Sequence, residues 1–290
     1  MGDSTSDEYR ADDARGGDYA ETTLSWVEQL VESRDLDFGE WGTRESPRRT
    51  GYEYNWARTG ATAQTMLSSG QHTGLAKQVA EGKVDVVVLW IGGNDFHLKN
   101  GPYEEIYNGT LSGAALRSKL DKLVADITTA ADTVLAAGDV KMGIVLITDQ
   151  GMAKSAPAMY PDPAKRQRVS DAIAYANQRL IKVAEERGVI TIDSNQLAED
   201  LFARMDDEGY IDVGGEKISA LEAGDEPHHL QLGDFIGHSG TVLSGIIANQ
   251  VFIEPFNEAY GLQIRPLTDA EILQNAGIKQ RVTSQVWGHD

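Results

Sequence analysis

The sequence predicts an α/β protein with a mostly parallel sheet, and three observations predict it. Short β-branched apolar runs bounded by turn residues recur along the chain: Val84 to Ile91, Met142 to Ile147 and Val189 to Ile192. Runs of this kind suit strands buried on both faces. Long stretches with helical spacing separate them, and such alternation implies right-handed crossovers between parallel strands. The length of 290 residues, at roughly 150 per domain, admits one large α/β domain or two small ones. We expect a single domain over residues 1–290 with a hairpin insertion around 205–233.

Taken in order, the chain opens with a polar, Gly- and Asp-rich segment from Gly2 to Asp18, with only Met1 ahead of it, so no signal peptide is seen. Glu21 to Ser33 carries Leu24, Val27, Leu30 and Val31 at helical spacing, which predicts an amphipathic helix. Val84 to Ile91 is the strongest strand. Ala114 to Ala137 and Pro163 to Arg187 are long, periodic and rich in helix formers, the second opening with proline where a first turn tolerates it. Between Arg204 and Gly237 the sequence turns polar and Gly-rich, and Tyr210 to Ile218 reads as a hairpin turning at Gly214-Gly215. Thr241 to Phe256 predicts a last apolar helix, followed by an irregular tail with a helix-like Asp269 to Asn275.

Composition narrows the function. No apolar run approaches the roughly 18 residues of a membrane helix, so integral membrane association is not expected. Lysine and arginine number 26 against 45 acidic residues, a net charge of −19 that would repel nucleic acid and anionic lipid head groups and favours a neutral substrate. The absence of cysteine excludes disulfides, thiolate zinc sites and cysteine nucleophiles. Asp12-Asp13 and Asp206-Asp207-Glu208 lack calcium-loop spacing and read as solvated charge, and the Gly-rich pieces lack nucleotide-binding signatures. No cofactor or metal is implied, and compartment and oligomeric state stay open.

Four short clusters can carry chemistry: Gly2-Asp3-Ser4, Asn55-Trp-Ala-Arg-Thr-Gly60, Gly92-Gly-Asn-Asp95 and Asp234-Phe-Ile-Gly-His238. A serine hydroxyl becomes nucleophilic when an imidazole takes its proton, so Ser4 and His238 supply the minimum for covalent acyl transfer. The tetrahedral intermediate needs fixed hydrogen-bond donors, and a glycine N–H and a neutral asparagine amide, Gly60 and Asn94, meet that need. Each residue also has a plain structural role open to it. Ser4 could cap a turn, Asn94 and Asp95 could end a strand, and Gly60 could be a loop glycine. His72, His97, His228, His229 and His289 compete with His238, which is favoured by the apolar helix directly after it. Trp41, Tyr52, Tyr54 and Trp56 could line an acyl or sugar pocket or pack in the core.

The four clusters in this order resemble the SGNH (GDSL-type) hydrolase family, over nearly the whole chain. The resemblance implies a three-layer α/β/α sandwich (SGNH/flavodoxin-like), Ser4 as nucleophile, His238 as base, and the Ser4 N–H, Gly60 and Asn94 as the oxyanion hole. The family usually has its aspartate three residues before the histidine, where this chain has Phe235. Asp234 sits four before, and a bulge at Gly237 would let its carboxylate reach the imidazole; a Ser/His dyad or another acid, Asp225 first, is the alternative. The family also has a buried strand ahead of its Gly-Asp-Ser, so the resemblance implies a first strand that is missing or truncated. A truncated start would hide a leader too, which leaves secretion open.

The implied activity is hydrolysis of carboxylic esters through an acyl-serine, on small acyl, sugar or lipid esters, without a cofactor. Activity should rise as the imidazole deprotonates, at about pH 6 to 7 for an ordinary histidine, and be indifferent to chelators. The rival readings are an acyltransferase using the same residues and a non-catalytic binding module.

Overall fold

The computed structural model describes residues 1–11, 14–99, 101–152 and 156–279. Asp12, Asp13 and His289, singled out above, lie outside the described residues. The protein is mixed α/β. Helix α1 (Trp26–Arg34) starts later than apolar spacing alone suggests. The reason is a capping box: the Ser25 side chain accepts the Glu28 N–H, and the Glu28 carboxylate accepts the Ser25 N–H at 2.8 Å. Strands β1 (Trp41–Thr43) and β2 (Thr50–Tyr52) pair as an antiparallel hairpin. Helices α2 (Ala63–Ser68) and α3 (Gln71–Ala80) lead into β3 (Val86–Leu89).

Helices α4 (Tyr103–Asn108) and α5 (Gly113–Leu135) then carry the chain to β4 (Lys141–Val145). After α6 (Ala156–Met159), α7 (Pro163–Arg187) returns it to β5 (Ile190–Ile192). The strands β3, β4 and β5 lie side by side, all parallel, with Val88 opposite Gly143 and Gly143 opposite Ile190. Successive residues of β3 face opposite ways. Val87, Leu89 and Ile91 join an apolar cluster with Ile127 of α5 and Ile173 of α7, while Val88 and Trp90 join a second cluster with Trp26 and Phe252. Each face of the sheet is thus covered.

Beside β3 the first residues of the chain occupy only its C-terminal end. The Met1 ammonium donates to the Val88 carbonyl at 2.9 Å, the Met1 carbonyl accepts the Trp90 N–H at 3.1 Å, and the Asp3 N–H donates to the Trp90 carbonyl. This parallel bridge holds Ser4 just beyond the strand end. The rest of that edge, from Val84 to Val88, borders a cavity of about 400 Å³ walled by Met1, Trp26, Phe38 and Phe252. Burial in this setting draws the Met1 ammonium pKa down to about 5.

Helix α8 (Ser194–Ala203) leads to a second small sheet of β6 (Tyr210–Val213), β7 (Glu216–Ala223) and β8 (His229–Gln231). Strands β6 and β7 form the expected hairpin, and its turn residues Gly214 and Gly215 sit at φ +57° and +88°, as a tight two-residue turn requires. Strand β8, which the sequence reading did not contain, pairs in parallel with β7. The last apolar helix is α9 (Thr241–Ile247), continued by a wider π-helical stretch, Ala248–Ile253, into α10 (Glu254–Tyr260). Helix α11 (Asp269–Asn275) closes the described chain.

Candidate active site

Ser4 stands in a tight turn organised by Asp3. The Asp3 carbonyl accepts the N–H groups of Ser6 and Asp7, both at 3.1 Å, and its carboxylate accepts the Thr5 N–H at 3.0 Å. Three donors spent on one residue pin the turn from inside and present Ser4 at the rim. Burial holds the Asp3 carboxyl above the ordinary range, against the hydrogen bonds from Thr5.

His238 comes from the other end of the chain. Its carbonyl accepts the Leu232 N–H at 2.7 Å, and Gly240 N–H reaches the Leu230 carbonyl, so the loop is tied to β8 just before α9 starts at Thr241. The His238 Nε2 lies 2.9 Å from Ser4 Oγ, and its Nδ1 lies 2.5 Å from Asp234 Oδ2. Asp234 therefore reaches the ring from four residues back. The turn that permits this places Gly237 at φ +73°, where a Cβ would be strained, and the other carboxylate oxygen accepts the Gly237 and His238 N–H groups at 2.8 and 3.1 Å. Burial pushes the Asp234 carboxyl up, but the hydrogen bonds and charge of His238 and the two backbone donors outweigh it and hold the pKa at about 2. Asp225, the alternative acid, accepts the Gly233 N–H at 3.0 Å, and the contacts of His238 Nδ1 are with Asp234 and Arg15.

Asn94 opens a single helical turn a few residues beyond the end of β3, and its Nδ2 donates one hydrogen to the Ala61 carbonyl at 3.0 Å. That bond ties the strand end to the loop of Gly60. The same loop is fastened to the start of the chain, because Arg58 N–H donates to the Gly2 carbonyl and Ala61 N–H to the Arg58 carbonyl, each at 3.0 Å. Gly60 itself lies at φ +77° with open space around it. Asn94, Ser4 and His238 line one cavity of about 220 Å³, whereas Gly60 stands in the adjoining loop outside its lining.

Asp149, Gln150, Ser194 and Gln231 are among the polar residues that line this cavity, and the rest is an apolar wall. It is built from Leu197, Leu201 and Phe202 of α8, Ala220 of β7, Leu230 of β8 and Leu243 and Ile247 behind them. The aromatic residues near the second cluster are not part of it. Trp41 packs edge-on against Tyr52 at 4.9 Å, and Trp56 lies under Arg48 while its indole N–H donates to Gln78 Oε1 at 2.7 Å. Of the competing histidines, His97 borders the cavity but its Nδ1 accepts the Lys99 N–H at 3.1 Å. His229 is beside Glu226 at 3.4 Å. Among the described histidines, only His238 has Ser4 within hydrogen-bond reach.

Two residues absent from the sequence reading stand in the site. The Arg15 guanidinium has Nη1 3.3 Å from Asp234 Oδ2 and 3.0 Å from His238 Nδ1, and its Nη2 donates to Thr59 Oγ1 at 3.3 Å. Tyr9, fully buried, sets its ring edge-to-face against His238 at 6.4 Å and under Arg15 at 5.5 Å. The arrangement as a whole offers a hydroxyl, a proton acceptor oriented by a carboxylate, and amide donors at the mouth of an apolar cavity, which is a set of groups suited to acyl transfer.

No curated protein matches the chain. Among solved structures, an extracellular lipase from Streptomyces rimosus is similar with a TM-score of 0.44 and 18% identity, covering 89% of this chain and 97% of that one. The family model described as the GDSL-like Lipase/Acylhydrolase family matches residues 1–213. That span contains Ser4, Gly60 and Asn94 and stops short of Asp234 and His238, which rest on the contact geometry. By a match that covers most of its length, the chain belongs to the GDSL-like lipase/acylhydrolase family.

Proposed function

We propose that the protein hydrolyses carboxylic esters with an apolar acyl chain through an acyl-serine intermediate. The observation that carries this reading is the line of contacts from Ser4 Oγ to His238 Nε2 and from His238 Nδ1 to Asp234. In the forward step His238 Nε2 takes the Ser4 proton as Oγ attacks the ester carbonyl. The carbonyl oxygen becomes an oxyanion, held by the Ser4 and Gly60 N–H groups and the second Nδ2 hydrogen of Asn94. Collapse expels the alcohol, which receives the proton from His238. Water then attacks the acyl-serine by the same route and releases the acid.

Asp234 stays ionised throughout, since its pKa of about 2 lies far below the working range, and it keeps the Nδ1 proton on the imidazole and balances the imidazolium. Substrate class follows from the cavity. Its leucine, phenylalanine and alanine wall suits a hydrocarbon chain. The three-layer arrangement belongs to the same reading, supported by the apolar cluster on each face of the parallel sheet.

The test is labelling with a fluorophosphonate together with turnover of p-nitrophenyl esters. Wild-type protein should label and hydrolyse, and Ser4→Ala should do neither while melting normally. Retention of both by Ser4→Ala would remove the nucleophile and the proposal with it.

A further inference from the structure

We propose that Arg15 is a positioning residue that braces the acid of the catalytic triad against the oxyanion loop. The inference rests on the reading of Ser4, His238 and Asp234 given above. Its basis is the placement of one guanidinium between two parts of the site. Nη1 meets Asp234 Oδ2 at 3.3 Å, and Nη2 meets Thr59 Oγ1 at 3.3 Å. Thr59 immediately precedes Gly60 and is itself fixed, because its N–H and hydroxyl both donate to Asp7 Oδ2, at 2.7 and 3.0 Å. A rigid planar fork can hold two acceptors at a set separation, which a lysine ammonium on a flexible stem does not reproduce.

The carboxylate shows what the brace does. Oδ1 of Asp234 already accepts two backbone N–H groups, and Oδ2 accepts the imidazole Nδ1–H and the Arg15 Nη1–H. With four donors on two oxygens the carboxylate has no alternative orientation to rotate into. Without Arg15, Oδ2 would be held by the imidazole alone. Arg15 also lies 3.0 Å from Nδ1, so its direction decides whether that nitrogen keeps its proton. If the guanidinium turned to donate to Nδ1, the ring proton would move to Nε2 and the ring could no longer accept from Ser4. Nη1 stands between the two, 3.0 Å from Nδ1 and 3.3 Å from Oδ2, and the bond from Nη2 to Thr59 fixes where the fork sits.

The backbone is shaped to deliver this side chain. Ala14 is held at φ +40°, and Gly16 and Gly17 follow at +97° and +53°. The Arg15 N–H is tied back to the Tyr9 carbonyl at 3.0 Å, and the guanidinium lies over the Tyr9 ring. An alanine in the left-handed region costs about 1 kcal/mol, and that strain is kept in the loop that carries Arg15.

The experiment compares wild type, Arg15→Ala, Arg15→Lys, Thr59→Val and the double variant Arg15→Ala/Thr59→Val, with Ser4→Ala as the inactive reference. Two readouts are taken: kcat and KM on a p-nitrophenyl ester, and the downfield proton resonance of the short bond between His238 Nδ1 and Asp234. Arg15→Ala should lower kcat by about 10 to 100-fold with KM little changed, the range expected when a reacting group loses its alignment. Its downfield resonance should broaden or shift. Arg15→Lys should fail to restore either, because charge without the fork is insufficient. Thr59→Val should act in the same direction, and the double variant should be no worse than Arg15→Ala alone, the non-additivity of a shared contact. Arg15→Ala with wild-type kcat and an unmoved resonance overturns the proposal. Additive losses in the double variant overturn it as well. The resonance needs no turnover, so a wild-type protein that hydrolyses no ester would count against the hydrolase reading while the NMR comparison still decided the role of Arg15.

Discussion

Asn94 has one amide hydrogen committed to the Ala61 carbonyl and one left for the cavity it borders. In the oxyanion role proposed above, replacing it with alanine would remove a neutral donor to developing negative charge, and it would untie the Gly60 loop from the strand end. On the scale known for single oxyanion donors, about 3 to 4 kcal/mol, Asn94→Ala should lose on the order of 100 to 1,000-fold in kcat with a smaller change in KM. Steady-state kinetics on a short ester measures this directly, and an unchanged kcat would place the oxyanion elsewhere. The short patterns that hold Ser4, Asn94 and His238 are legible in the sequence, and the structure brings these three residues to one cavity. Asp234 was harder, since its reach to the imidazole depends on the left-handed turn at Gly237, which the glycine only hinted at. Arg15 was not readable at all. Its partners Thr59 and Asp234 are 44 and 219 residues away, and an arginine in a polar loop carries no local sign of which carboxylate it meets.

The long elements were readable for a similar reason, namely that their signals are local. Helix α7 begins and ends where the sequence predicts, because the Asp162 side chain caps Ala164 N–H at 2.9 Å and Gly188 takes φ +64° at the far end. Strands β1, β2 and β8 were missed because none carries the β-branched apolar run that marks the equally short β5. The sheet of β6, β7 and β8 borders the cavity, since β7 and β8 lend Ala220 and Leu230 to its lining. Filling the wall should therefore shorten the acyl chain the enzyme accepts. We expect Ala220→Phe to cut kcat/KM for an octanoyl ester by about 10 to 100-fold, a few methylenes' worth of lost pocket. The acetyl ester should change by no more than about 2-fold, since the reacting groups are untouched. A chain-length series of p-nitrophenyl esters gives the answer, and equal losses for acetyl and octanoyl esters would mean that the acyl chain lies elsewhere.

Across the whole molecule, acidic side chains are carried inside as well as on the surface. Asp3, Asp7, Glu8 and Glu28 are all buried around the loop that presents Ser4. Glu28 is well served, accepting N–H groups from Tyr9, Arg10 and Ser25 and the Arg10 side chain. Glu8 is 3% exposed, accepts the Tyr52 N–H at 2.8 Å and a hydrogen bond from the Asn55 side chain, and lies near Asp7. Burial, assisted by Asp7 and opposed by hydrogen bonds from Tyr52, Asn55 and its own backbone, pushes its pKa from 4.5 to about 8. The folded state thus holds a proton that the unfolded chain releases near 4.5, so Glu8 contributes stability that is complete below that value and is lost as pH rises through about 8. Glu8→Gln, a neutral group of the same shape, should flatten this decline and raise Tm at about pH 9 by roughly 3 °C or more, with little change at about pH 4. The surface excess that makes the chain −19 destabilises in the same direction at high pH, but salt screens it, the Debye length being about 10 Å at 0.1 M. Melting curves of wild type and Glu8→Gln with and without added salt separate the two, because the part due to Glu8 should persist in salt. A Tm difference between the two proteins that is independent of pH would show that Glu8 is ionised in the fold and that its burial is compensated by groups around it.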